Sequence, residues 1–324
     1  MRSIVSNVNK IVNLKKNDAV LDIASNDGTL LNFYSKTFFR VGIDPTIKKF
    51  RKYYNEINIK IPDFFSKKLI RKKTKKNFKV ITALSVFYDI ENPNYFLKDV
   101  HELLDDDGIF ILEQADLLSI IKLKMFDTIC HEHLEYYSHN VIIKLLEKNN
   151  LKLFDFKFND INGGSTQYYI CKDKNTKIKL RKNKIMKMLN NEKKFRLDDV
   201  KTYKKFFIEI QSVKKKLNKF IKKIKSENKV IHGYGASTKG NVLLQYFNIN
   251  KNHIDCISDR NPKKNGFYTP NTKIKIVSEL YSRKINPDYY LVLPWHFKKE
   301  ILQREKKQRK YSKFIFPLPN LEVY

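Results

Sequence analysis

Residues 19–28 constrain this chain more than any other stretch. Ala19-Val-Leu-Asp-Ile-Ala24 is a short apolar run bounded by polar residues, the pattern of a strand buried on both faces of a parallel sheet. It runs directly into Ser25-Asn-Asp-Gly28 and a helix from Thr29 onward. Strand, tight turn and helix in that order form the nucleotide-binding half-unit of a doubly wound sheet. The loop Asp22-x-Ala24-x-Asn26-x-Gly28 is a weakened glycine-rich turn in which only Gly28 keeps its glycine. A pyrophosphate needs close backbone approach, so this loop argues against a dinucleotide. A sulfonium cofactor, carrying no phosphate, is less demanding.

The alternation continues. Phe39-Arg-Val-Gly-Ile-Asp44 reads as a second strand, ending in an acid 22 residues after Asp22, where such folds place a ribose-binding carboxylate. Lys79–Ser85 and Ile109–Glu113 read as further strands, separated by a helix (Pro93–Leu104) and a turn at Asp105-Asp-Asp-Gly108. A helix over 138–149, strands over 151–159 and 166–171 and a turn at Asn162-Gly-Gly-Ser165 complete the sheet in antiparallel fashion. Lys172–Lys229 is Lys-rich with helical apolar spacing (Phe206, Ile210, Val213, Leu217) and reads as a helical connector. A second α/β unit opens at Lys229-Val-Ile-His-Gly-Tyr-Gly235, leads into a helix, and places Asp259 at the end of its next strand. Strands at 273–277, 289–293 and 313–316 and a helix at 295–308 follow. The expected fold is therefore α/β: a doubly wound sheet, then a smaller Rossmann-like domain, with divisions at 1–180, 181–228 and 229–324.

Composition narrows the classes. No apolar run approaches the ~18 residues of a spanning helix and no signal-peptide core is present, so the cytoplasm is expected and a membrane is not. The net charge of +31 would suit nucleic acid, but lysine outnumbers arginine about five to one and no aromatic-basic motif appears. A solvated basic face is the better reading, and its field would favour an anionic small molecule. Cys130, Cys171 and Cys256 stand far apart and build neither a zinc site nor a disulfide framework. No metal is expected.

Proton chemistry concentrates in Asp127-Thr-Ile-Cys-His-Glu-His-Leu-Glu-Tyr-Tyr-Ser138, which holds two of the chain's seven histidines. Imidazole exchanges protons near neutrality, and an adjacent carboxylate can orient it or stabilise its charge. The same pattern also suits a helix start with its tyrosines packed inward.

Taken together, Val20–Leu30, Gly42–Thr46, Ile61–Phe65, Cys130–Ser138, Asn162–Ser165, Gly233–Gly240, Asp259–Pro270, Leu293–Phe297 and Phe316–Pro319 resemble, in order, the S-adenosylmethionine-dependent sugar C-methyltransferases. These enzymes methylate a carbon of nucleotide-linked 4-keto deoxysugars. The resemblance implies a class I methyltransferase sheet followed by a substrate-closing domain, with S-adenosylmethionine as cofactor and a nucleotide sugar as partner. It implies that His133 is the base that makes an enolate and Glu132 its companion carboxylate; His131 receives no role. It places Asp22, Ala24, Ser25, Asn26 and Gly28 on the cofactor, Asp44 and Pro45 near its ribose, Asp63 and Phe64 at its adenine, and Ser85 beside the methyl donor. Asp89, Asn162, Tyr234 and Lys239 become candidate substrate contacts. Family members usually begin with a zinc-binding domain built on paired cysteines, and Met1-Arg2-Ser3 begins inside a segment that elsewhere carries a tyrosine, so a separately encoded or earlier-starting portion is expected. Alternatives remain: a methyltransferase acting on another acceptor, a basic nucleic-acid binder, or a non-catalytic scaffold.

Overall fold

A computed structural model describes residues 1–324, the side chain of Asn162 excepted. The chain divides into two compact units. The first comprises residues 1–117 and 134–195, and the second residues 118–133 and 196–324.

The first unit is a seven-stranded sheet in the order β3-β2-β1-β4-β5-β7-β6. Its strands are β1 (Ala19–Ile23), β2 (Phe39–Ile43), β3 (Ile59–Ile61), β4 (Phe78–Leu84), β5 (Leu104–Gln114), β6 (Leu151–Asn159) and β7 (Ser165–Lys172). The first five run parallel; β7 pairs antiparallel with both β5 and β6, the finish expected from sequence. Every residue of β1 is buried because helices cover both faces of the sheet. Leu21 and Ile23 enter one core with Phe87, Phe96 and Phe110, while Val20 enters the other with Val8, Leu31 and Tyr54. Asp105–Gly108, expected as a turn, lies within β5 instead, and the register of β4 against β5 shifts between Phe78 and Val80 to accommodate it. A Cβ on Gly108 would fall 2.9 Å from the Phe78 carbonyl oxygen, so only glycine fits this crossing.

The second unit is a six-stranded sheet in the order β10-β9-β8-β11-β12-β13. Its strands are β8 (Ile231–Tyr234), β9 (Cys256–Asp259), β10 (Ile276–Ser278), β11 (Tyr289–Val292), β12 (Lys313–Phe316) and β13 (Glu322–Val323). All pair parallel except β13, which is antiparallel to β12. The helical connector expected over 181–228 contains two helices. The Lys182–Lys194 helix belongs with the first unit and the Val200–Ser226 helix with the second. The latter buries Phe206, Ile210, Val213, Leu217, Ile221 and Ile224 in a single stripe, spaced three and four apart. The helix expected over 295–308 is broken into a 3-10 turn (Trp295–Phe297), a short α-helix (Lys298–Arg304) and a second 3-10 turn (Gln308–Lys310).

Residues 118–133 sit inside the first half of the sequence yet pack with the second unit. Their anchor is a 3-10 turn, Phe126–Thr128, whose Phe126 ring stacks on Phe247 at 4.9 Å and lies 5.2 Å from Tyr246. Both partners are at the end of the Thr238–Tyr246 helix. No helix among the described residues is long and apolar enough to cross a membrane.

Candidate active site

The first unit gathers most of the expected cofactor residues at the carboxyl ends of β1, β2 and β4. The loop after β1 turns through three left-handed residues, Ala24 (φ 56°), Asn26 (φ 47°) and Gly28 (φ 74°). It is held from beneath by Tyr54, whose hydroxyl donates to Ser25 Oγ at 2.8 Å and is 2.9 Å from the Asn26 carbonyl. A Cβ on Gly28 would fall 3.1 Å from that ring, so the surviving glycine answers both a backbone angle and a steric need. Asp44 closes the corner: one carboxylate oxygen accepts from Asn26 N at 3.0 Å, the other from the amide and hydroxyl of Thr46 at 2.6 Å. Pro45 follows it at the surface.

Asp22 is buried at the centre of this corner. The Thr82 hydroxyl donates to its Oδ1 at 2.6 Å, and its other oxygen accepts nothing from the described residues. Burial pushes the Asp22 carboxyl up to about 7; the Thr82 bond opposes this, while the charges of Asp44 and Asp27 add to it. In a chain of net charge +31, this loop is locally acidic. The corner therefore suits a ligand bearing sulfonium and ammonium groups, and a pyrophosphate would add to its repulsion. Beyond β3, Asp63 Oδ1 accepts the Phe64 amide at 2.8 Å, and Phe64 is 77% exposed, an open aromatic surface. Ser85 follows β4 with φ 56°, and its amide donates to the Glu113 carbonyl at 2.7 Å. A serine held in this sparsely populated region is the strain found at functional turns. Asp89 is exposed at the end of the Phe87–Asp89 turn, and the Asn162 side chain lies outside the described residues.

In the second unit the His-Glu-His run is not helical. His133 is half-buried, and its Nδ1 lies 2.7 Å from the Thr128 carbonyl oxygen. A carbonyl has no hydrogen to give, so Nδ1 carries the proton and Nε2 carries the basic lone pair. Burial and the Lys239 charge hold this imidazole below its usual range, against the Thr128 bond and the charge of Glu132. Glu132 is exposed, and its charge raises the imidazole pKa, while the Thr128 carbonyl accepts from the ring. His131 is exposed as well.

Lys239, in the first turn of the Thr238–Tyr246 helix, belongs to the same cluster. Burial lowers its pKa, while Asp127 and Cys130 raise it. The His296 imidazole, in the Trp295–Phe297 turn, is pushed down to about 4 by burial and by the Lys239 charge. Tyr234 ends β8. Its hydroxyl donates to Glu305 Oε1 at 2.8 Å, and its ring lines a cavity of about 350 Å³ with Gly235, Asp259, Lys264 and Arg304. Among the described residues no His, Cys, Asp and Glu group could hold a metal ion, and all three cysteines are free thiols. Asp127, Trp295 and His296 were not singled out from sequence, although all three lie inside motifs that were. The available signal was an acid, Asp127, directly after the apolar pair Met125-Phe126.

Known proteins resemble this chain over most of its length. A family model described as a methyltransferase domain matches residues 2–155, and one described as a C-methyltransferase C-terminal domain matches residues 160–319. The C-methyltransferase NovU of Streptomyces niveus is 28% identical over 331 residues, which covers 100% of this chain and 77% of NovU. Among solved structures, an S-adenosylmethionine-dependent methyltransferase from Clostridium acetobutylicum superposes with a TM-score of 0.42 at 14% identity, over 52% of this chain and 88% of its own. The plantazolicin methyltransferase BamL, solved with S-adenosylhomocysteine, gives 0.41 at 15% identity, over 53% and 83%.

Proposed function

The chain belongs to the S-adenosylmethionine-dependent C-methyltransferases, a methyltransferase domain joined to a C-methyltransferase C-terminal domain, and from that premise we propose that it methylates a carbon of a nucleotide-linked 4-keto deoxysugar. The observation that carries this reading is the state of His133. A C–H bond is no nucleophile until its proton is removed, and a neighbouring ketone makes that removal feasible. His133 supports such a step because its tautomer is set by Thr128 and its pKa is held below the usual value, keeping Nε2 basic at neutral pH.

The cofactor would be held by the Asp22–Gly28 loop, Asp44, Asp63, Phe64 and Ser85. When bound, it supplies an electrophilic methyl group. Glu132 would support His133 through its charge. Tyr234, with the cavity it lines, supports a role in holding the nucleotide portion of the substrate, and Asp89 and Asn162 are proposed to contact the sugar. Cys130, Cys171 and Cys256 are all free, as suits the reducing cytoplasm proposed for this reaction.

The test is mass spectrometry of nucleoside diphosphate 4-keto-6-deoxyhexoses incubated with the protein in deuterated water, with and without S-adenosylmethionine. Deuterium should enter one carbon without the cofactor and a methyl group should be added with it. His133→Asn should lower both by at least about 100-fold, the usual weight of a positioned base. Methylation that survives intact in that variant would exclude the enolate and point to an oxygen or nitrogen acceptor.

A further inference from the structure

Strand β5 closes on two polar side chains that the first sheet buries without using fully. From Ile109 to Leu112 the strand is apolar, with Ile109 and Ile111 in one core and Phe110 and Leu112 in the other. Its last two residues, Glu113 and Gln114, are 3% and 0% exposed. Alternation turns Glu113 to the face of Ile109 and Ile111, and Gln114 to the face of Phe110 and Leu112. Both amide atoms of Gln114 are shut from solvent and bonded to nothing among the described residues. The carboxyl end of β5 therefore has idle hydrogen-bonding capacity, and in parallel α/β sheets that end of a strand is where ligands bind.

Glu113 is held through one oxygen only. The Ile161 amide donates to Asn159 Oδ1 at 2.9 Å, which turns the Asn159 amino group toward Glu113, and Nδ2 donates to Glu113 Oε2 at 3.0 Å. Gln167 Nε2 donates to the same oxygen. The Gln167 amide is oriented in turn: the Tyr169 hydroxyl donates to its Oε1 at 3.0 Å, and Asn7 Nδ2 donates to the Tyr169 oxygen at 3.3 Å. Two amides thus converge on Oε2. Oε1 accepts no hydrogen bond, and no Lys, Arg or His pairs with the carboxylate among the described residues. Glutamate is almost never buried to this degree without a charged partner, and this chain carries 65 Lys and Arg from which to supply one.

The sheet order indicates which partner is meant. β5 lies beside β4 and two strands from β1, so Glu113 is about 10 Å across the sheet from the cofactor loop. Ser85, placed beside the methyl donor in the reading above, lies between them and donates its amide to the Glu113 carbonyl at 2.7 Å. A ligand group at Glu113 is therefore beyond the methyl donor, on the side from which an acceptor approaches. We propose that Glu113 reads the acceptor, its Oε1 taking a hydrogen bond from a donor on the sugar ring, a hydroxyl or an ammonium group. This rests on the keto-sugar substrate proposed above. Asn159 and Gln167 are positioning residues in this scheme: they occupy Oε2 and leave Oε1 for the ligand.

The informative variant is Glu113→Gln. Its amide oxygen should take the Oε2 place, where Asn159 and Gln167 require an acceptor, and its amino group the Oε1 place. The internal bonds survive, and the free acceptor becomes a donor. Affinities are read by calorimetry in the presence of S-adenosylhomocysteine, which blocks methyl transfer. The probes are thymidine diphosphate 4-keto-6-deoxyglucose, its 2-deoxy and 3-deoxy counterparts, and the sugar whose 3-hydroxyl is replaced by an amine. In the unmutated protein, loss of one particular ring hydroxyl should weaken binding about 10-fold or more, the weight of a hydrogen bond to a charged group. Glu113→Gln should bind the full sugar that much more weakly and the corresponding deoxy sugar within about threefold of the unmutated protein. An ammonium partner is distinguished by tighter binding of the amino sugar than of the hydroxyl sugar, a preference that Glu113→Gln abolishes. S-adenosylmethionine affinity should not change. Equal weakening of every sugar, or of none, overturns the assignment and leaves the substrate reading standing. A 10-fold loss of S-adenosylmethionine affinity would place Glu113 with the cofactor instead and also overturns it. A melting temperature lowered by more than about 5 °C would show that the charge serves the fold, since the amide keeps both internal bonds. If no keto-sugar binds the unmutated protein, the substrate reading fails and the assignment falls with it.

Discussion

Asp22 links the sequence of the cofactor loop to a measurable pH dependence. Its carboxyl keeps a proton to about pH 7 in the folded protein and releases it near 3.8 when unfolded. Between those values the unfolded chain binds fewer protons than the folded one, so stability falls as pH rises. By pH 8 the loss amounts to about 4 kcal/mol for a shift of this size. Asp22→Asn should therefore raise the unfolding midpoint of the cofactor-free protein at pH 8 and leave it nearly unchanged at pH 4. Equal slopes of Tm against pH in the two proteins would refute this. The same variant should bind S-adenosylmethionine more weakly, because a cationic ligand gains from a carboxylate whose burial is otherwise costly. Ala24 shows the limit of residue-level reading. Its place in a weakened glycine loop was visible, but its left-handed φ of 56° follows from the loop's anchoring on Tyr54 and Asp44, residues 30 and 20 positions away.

Elements were legible where both faces are apolar. The runs that form β1, β2, β4, β8 and β11 are continuous because helices cover each sheet on both sides. β3, with Lys60 between two isoleucines at the sheet edge, carries too little pattern to stand out. Asp105–Gly108 misled for a different reason: acids and a glycine favour a turn locally, but pairing with β4 draws them into a bulged strand. The Phe126–Thr128 turn was the least legible element, and it holds the proposed base. A backbone carbonyl such as that of Thr128 leaves no trace in residue identity, and Asp127 meets Trp295 across 168 positions. Phe126→Ala should test how far this turn depends on its one stacked ring. Loss of a buried phenylalanine costs about 3–5 kcal/mol where the site cannot collapse. Calorimetry should show the second unit melting earlier while cofactor binding by the first persists. An unchanged thermogram would mean that the turn is held by other contacts.

The whole molecule is two sheets whose chain connections are less simple than their order in sequence suggests. The chain leaves the first unit after Leu117, returns at Leu134, and leaves again after Phe195. A division read from composition alone assigns 118–133 to the first domain, since nothing in a local pattern says which sheet a segment will join. The physical answer lies in Phe247, Trp295 and Lys239, which present it with a ring, a donor and a charge. A fragment of residues 196–324 should therefore aggregate or melt at a lower temperature than the second unit does in the full chain. Addition of a peptide spanning 118–133 should raise that temperature in a concentration-dependent way. A fragment as stable alone as in the full chain would show that the segment adds nothing to the second sheet.

The borrowed segment also sets rules for how such genes can recombine. A crossover placed between the two sheets, at the long Val200–Ser226 helix, would pair one parent's Phe126 and Asp127 with the other parent's Phe247, Lys239 and Trp295. A stable exchange of C-terminal halves between relatives thus requires that some sixteen residues from the front half travel with them, or that both parents already share the same five side chains.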